Sequence, residues 1–151
     1  MKRILYSGFT MIELLIVIAI IGILSTIVVM TYSNDQASAR DAERKSDLEQ
    51  YRNALEAYAN GANGIYPVDS SVPGVAADSI CGASGLNLTT TCPVDPKSGT
   101  GSYGYKYLSN AGGTKYVLYA YLERTSTYFG LCSDGVSISL PTYAPTIANC
   151  P

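Results

Sequence analysis

One feature constrains this chain more than any other. From Leu14 to Asn34 it carries no charge and consists mostly of Leu, Ile and Val. As a helix this run is about 30 Å long, the thickness of a bilayer core. No proline occurs between Phe9 and Asn60. The following stretch, NDQASARDAERKSDLEQYRNALEAYAN, is rich in good helix formers. Within it Leu48, Tyr51, Leu55 and Tyr58 recur at steps of three, four and three, which draws one apolar stripe. The sequence therefore predicts a single helix from Phe9 to about Asn60. Residues 9–34 form a transmembrane half and residues 35–60 an amphipathic half. Asp41–Lys45 and Glu49–Arg52 are expected as helical ion pairs. Upstream of Leu48 the stripe fades into Ala37, Asp41 and Arg44. Only the last turns are then expected to pack on a domain, with the middle in the open or against other subunits.

Glycines in NGANG end the helix. The segment after it, from Tyr66 to Ser102, is dense in Pro, Gly, Ser and Thr and reads as irregular. Then YGYKYLSNAGGTKYVLYAYLERT reads as a β-hairpin. Tyr103, Tyr105 and Tyr107 alternate on one side of the NAGG turn, and Tyr116, Leu118, Ala120 and Leu122 alternate with Val117, Tyr119 and Tyr121 on the other. YFGLC and VSISL are further strands split by the turn SDG. Residues 61–151 thus predict an antiparallel sheet of three or four strands covering the lower half of the helix. The fold class is α+β.

The cysteines Cys81, Cys92, Cys132 and Cys150 all lie beyond the uncharged run. An even count in a loop-rich segment favours disulfides and an oxidising compartment. Of three possible pairings, Cys81–Cys92 and Cys132–Cys150 each close a local loop and are preferred. They would also staple a small core. A zinc site lacks a close cysteine pair, and the chain has no histidine. The basic residues Lys2 and Arg3 precede the apolar run, but Arg40, Arg44 and Lys45 follow it, so charge alone leaves orientation open. The cysteines place the N-terminus in the cytoplasm and residues 61–151 outside.

Composition narrows the function classes. Net charge is −2, and no block of Lys and Arg tracks a phosphate backbone, so specific nucleic-acid binding has little support. Without histidine, a phosphate-binding glycine loop or a serine-nucleophile motif, an enzyme is the weakest reading, and no cofactor or metal is expected. Asp41 and Glu43 read as a solvated acidic helix face. A membrane-tethered extracellular binding module is a competing reading, since tyrosines stack on sugars and bases. Asn87-Leu88-Thr89 matches a short glycosylation sequon.

The first eight residues, MKRILYSG, do not form a secretory signal, because the apolar stretch comes after Gly8 rather than before a cleavage site. Cleavage after Gly8 would leave the apolar run in the mature chain, with Phe9 carrying a free amine. That amine lies one turn from Glu13. A carboxylate at the edge of an apolar core can snorkel, take up a proton or find a cation. Pairing with the amine of a neighbouring copy neutralises both charges, and a wrong axial register would strand one of them. The simpler alternative is an acid favoured by the dipole at a helix start.

These residues, KRILYSGFTMIELLIVIAIIGIL, resemble the N-terminus of type IV pilins and of the pseudopilins of type II secretion. Gly8, Phe9, Thr10, Met11-Ile12, Glu13 and Leu14 agree in order with that pattern. The resemblance is looser downstream, where the stretch DPKSGTGSYGYKY and the closing Cys132–Cys150 pair look like the later part of such subunits. It implies residues 1–8 as a leader cut after Gly8 by a prepilin peptidase, N-methylation of Phe9, and Phe9, Thr10 and Glu13 as assembly residues. It further implies a pilin fold, a helical homopolymer drawn from the membrane by an assembly platform, and an extracellular filament on the cell surface. The terminal cysteine pair tilts the reading to the pilus over the secretion pseudopilus. Two departures stand out. Past Gly22, where many type IV pilins carry a proline, this chain has Met30, leaving Gly22, Ser25 and Thr26 as the residues that could loosen the helix. The acidic calcium cluster of the major pseudopilins is not evident around Asp134, with Asp95 and Asp69 the acids that would have to approach it in space.

Overall fold

The computed structural model describes residues 8–69, 74–83, 92–141 and 143–151, with the backbone alone for residues 27–31. The leader residues 1–7 and the sequon at 87–89 lie outside the described residues. The chain divides into two compact units, residues 1–36 and 37–151. Helix α1, Met11–Gly61, contributes to both.

In the first unit α1 begins two residues later than expected, because Thr10 caps it. The large apolar side chains from Phe9 to Leu24 are exposed all round the helix, from Val17 at 46% to Phe9 and Met11 at 87%. Ser25 Oγ donates to the Ile21 carbonyl at 2.8 Å and Thr26 Oγ1 to the Ile23 carbonyl at 2.7 Å. Both hydroxyls are satisfied within the helix, as an apolar setting demands. Among the described residues no helix is long and apolar enough to cross a membrane. The run expected to do so includes residues 27–31, whose side chains lie outside the description.

In the second unit α1 ends where the backbone turns left-handed at Asn63 and Gly64, with φ of 55° and 79°. The Gly64 N–H returns to the Ala59 carbonyl at 2.8 Å, a C-terminal closure that glycine permits. A five-stranded antiparallel sheet follows, in the order β1 (Val75–Ala76), β2 (Lys106–Ser109), β3 (Tyr116–Leu122), β4 (Thr127–Cys132), β5 (Ser137–Leu140). The expected hairpin is the β2–β3 pair, with Tyr107 opposite Leu118 and Ser109 opposite Tyr116. The SDG turn joins β4 to β5.

The expectation of three or four strands falls short by the edge strand β1. Two residues carry no readable period, and β1 sits inside the segment read as irregular. Gly74 brings it in: a Cβ there would meet the Tyr107 carbonyl oxygen at 2.6 Å. A short helix, α2 (Ala77–Ala83), also lies in that segment.

The apolar stripe on α1 packs where it was expected to. Leu48, Tyr51, Leu55 and Ala59 bury against Tyr105, Tyr107, Tyr116, Leu118, Ala120 and Leu131. A second core covers the other face of the sheet, where Leu108, Val117, Tyr119 and Cys132 meet Cys150, Ala144 and Ile147 of the closing segment. β3 is therefore buried on both faces, and alternation there does not separate core from solvent.

Candidate functional site

Two places concentrate charge in unusual surroundings. One is the head of α1. Glu13 Oε2 accepts hydrogen bonds from the Thr10 backbone N–H at 2.8 Å and the Thr10 hydroxyl at 2.7 Å, while Thr10 Oγ1 accepts from the Glu13 N–H at 3.3 Å. This reciprocal arrangement is a capping box, which satisfies helix N–H groups left without partners. The signal was present in the sequence as Thr-Met-Ile-Glu, a Thr followed three residues later by Glu. The sequence reading gave Glu13 a neighbour's amine as partner, with the helix dipole as the simpler alternative, and missed the box. Both Thr10 donors fall on Oε2, and among the described residues Oε1 accepts no hydrogen bond. Gly8 and Phe9 are exposed beside this cap. An apolar helix exposed on every side is the mark of a surface made for burial in an assembly or lipid.

The other place overturns two expectations. Arg44 is fully buried and Asp41 is 7% exposed, although this part of α1 was expected to stand in the open and Asp41 to be solvated. Arg44 grips Asp95 with Nε to Oδ2 at 2.8 Å and a terminal nitrogen to Oδ1 at 3.0 Å. Its other terminal nitrogen reaches Asp41 and Glu123, each at 2.8 Å. Arg40 forks onto Glu123 with both bonds at 2.8 Å, and Lys97 donates to the same carboxylate. Asp41 also caps backbone, accepting the Glu123 N–H at 2.8 Å and the Arg124 N–H at 2.9 Å. Three cations thus meet three carboxylates, and every buried side-chain nitrogen and oxygen among the described residues is bonded. Completion of this kind is what a buried charge requires.

The electrostatics follow from the contacts. Hydrogen bonds from Arg40 hold the Glu123 carboxyl far below the usual range, with Lys97 and Arg44 adding to the effect and burial opposing it. Burial works against the Arg44 charge, but the bonds to Asp95, Glu123 and Asp41 outweigh it and raise its pKa. The Tyr103 ring lies 4.8 Å from the Arg44 guanidinium carbon and 5.2 Å from Lys97 Nζ, a cation–π contact with each. Asp41 pairs with Arg44 rather than with Lys45, whose Nζ sits 5.2 Å over the Phe129 ring. The expected Glu49–Arg52 pair forms at 2.8 Å, and Glu43 is exposed as expected.

Asp95 is consumed by Arg44, and among the described residues no group of three acids, cysteines or histidines is placed to hold a metal. The cysteines are joined as Cys81–Cys92 and Cys132–Cys150, with Cα separations of 6.1 and 5.7 Å. Most core tyrosines spend their hydroxyls internally. Tyr51 donates to the Pro93 carbonyl and Tyr107 to the Pro67 carbonyl, while Tyr66 and Tyr116 share Glu56. These rings tie loops to the core and are not free to stack on a ligand.

The prokaryotic N-terminal methylation motif matches residues 5–29, which takes in Gly8 to Glu13 and most of the apolar run. The chain is 42% identical over 76 residues to the type IV major pilin protein PilE of Neisseria gonorrhoeae, covering 50% of this chain and 44% of that relative. The chain thus spans less than half the length of that curated relative. Two type IV major fimbrial proteins FimA of Dichelobacter nodosus match more of their length. One is 32% identical over 71% of this chain and 67% of its own. The other is 31% identical over 75% and 69%. No solved structure matches the chain.

Proposed function

Because the chain belongs to the type IV pilin family, we propose that it is the structural subunit of a type IV pilus filament. The observation that carries this reading is the head of α1: a carboxylate held by its own helix cap, with one oxygen left over, at the start of a helix apolar on every side. The printed names of the relatives, major pilin and fimbrial protein, support it.

On this reading a prepilin peptidase removes residues 1–8 after Gly8, and Phe9 becomes the N-methylated first residue. Before assembly, residues 9–34 hold the subunit in the membrane with its N-terminus in the cytoplasm. An assembly platform then stacks the helices of many copies, and residues 61–151 face the outside of a filament on the cell surface. The amine of one Phe9 approaches the free Oε1 of a neighbour's Glu13. Thr10 keeps that carboxylate in place by occupying Oε2. A charge pair in an apolar bundle sets axial register, since any slip leaves both charges unpaired. Contacts of this head-to-tail kind extend into a fibre when the rotation between copies does not close a ring.

Mass spectrometry of filaments sheared from cells tests the reading. The expected chain begins at Phe9 and carries one extra methyl group. Glu13→Ala is expected to leave processed subunit in the membrane with filaments lost. Recovery of only full-length chain in membranes, or normal filaments from Glu13→Ala, would overturn it.

A further inference from the structure

The charges left over after the internal pairs are counted point to a second contact between subunits. In residues 37–151, among the described residues, Lys45, Lys106, Lys115 and Arg124 have no carboxylate within ion-pair distance. Lys115 donates to the Pro151 carbonyl at 2.8 Å, and Lys106 lines one cleft together with Asp78. Lys45 and Arg124 instead flank a cleft of about 200 Å³ between α1 and the β3–β4 turn. Ser38 and Thr125 add hydroxyls there, and Ala42 and Leu122 give it an apolar side. Asp41 also lines this cleft, but its oxygens are committed to Arg44 and to the Glu123 and Arg124 N–H groups. The cleft therefore presents two cations without an ion-pair partner among the described residues, one of them, Lys45, resting over the Phe129 ring.

The opposite end of β4 carries the complementary charge. Asp134 is exposed on the β4–β5 turn, and its Oδ1 accepts the Val136 N–H at 3.0 Å. Its other oxygen has no partner among the described residues. Val136 beside it is 41% exposed. The strand β4, Thr127–Cys132, separates this turn from the cleft, a distance of about 20 Å at the rise of a strand. Asp134 cannot reach the cleft of its own chain.

We propose that the cleft flanked by Lys45 and Arg124 receives the Asp134 turn of a second copy, with the carboxylate between the two cations and Val136 against Ala42. This contact rests on the filament reading above. It joins opposite ends of one sheet, so it is heterologous and, within a filament, can repeat from copy to copy.

The test uses the full chain in filament-producing cells. Asp134→Asn keeps the acceptor for the Val136 N–H while removing the charge, and Arg124→Glu alters a side chain with no hydrogen bond or ion pair among the described residues. Each is expected to lower sheared-filament yield about two- to fivefold, the range set by one exposed ion pair, with the thermal midpoint of the detergent-solubilised subunit unchanged. The exchange of Arg124→Glu with Asp134→Lys is expected to restore the yield. Normal yield from both single variants, or no recovery in the exchange, would overturn the contact. Filaments failing from the unaltered chain would overturn the assembly reading itself and this contact with it.

Discussion

The two units handle charge near apolar surface in opposite ways. Residues 37–151 bring six charged side chains together and pair them all, with Arg44 wholly enclosed. At the head of residues 8–36 the Glu13 carboxylate is held on one side only, among exposed apolar residues. The first solution is finished within one chain. On the proposed filament reading, the second is finished by another molecule. The contrast teaches that a charge beside apolar surface marks fold or assembly according to where its remaining bonds must come from.

The sharpest way to break the contrast is to unbalance the enclosed cluster. Arg44→Ala strands Asp95, Asp41 and Glu123 together, and the expected loss is about 3–5 kcal/mol, read as a lower denaturant midpoint. Glu13→Ala should leave that midpoint where it is while abolishing filaments. Equal midpoints for Arg44→Ala and the unaltered domain would show that the cluster is ornament on the surface of the fold.

A smaller effect is expected from the Cys132–Cys150 link, which ties the closing segment over the second core. Replacing both cysteines by serine should cost about 2–4 kcal/mol in chemical denaturation. A midpoint unchanged by the double replacement would mean that Ala144 and Ile147 hold that segment alone.

The smallest effect is alkaline. Burial pushes the Tyr66 and Tyr119 phenols up to about 12, and it also raises Tyr51, Tyr105, Tyr107 and Tyr116. The folded domain keeps protons that an unfolded chain releases above about pH 10. Their stabilising contribution is therefore complete below that pH and falls as the pH climbs through 12. Titration by phenolate absorbance should show the exposed tyrosines ionising first, and the buried ones only as near-ultraviolet dichroism is lost. A single early transition with the dichroism intact would break the link between these rings and the core.

Much of this was legible in the residues, and the failures have physical causes. The helix, the β2–β3 hairpin and the stripe from Leu48 to Leu55 follow from period and turn chemistry, which are local. The buried cluster was misread although half its pattern was visible. Asp41, Arg44, Leu48, Tyr51 and Leu55 continue one stripe at steps of three and four, so the stripe did not fade but turned polar. What made burial affordable was Asp95 and Glu123, 51 and 79 residues beyond Arg44, and no local signal pairs residues across that distance. The edge strand β1 was missed because its pairing depends on a backbone approach at Gly74. At the head of α1 the acid was singled out and Thr10 was placed beside it as an expected assembly residue, but that Thr10 caps the helix and holds the acid was not read.

The Cys81–Cys92 link has a consequence for how this subunit can diverge. Its Cα atoms are 6.1 Å apart, so the two ends of the stretch between these cysteines are held together. Closing a longer excursion costs only about 0.6 kcal/mol for each doubling of length. Changes of length between these two cysteines are therefore expected to cost the fold little, which leaves room for this chain's descendants to differ there.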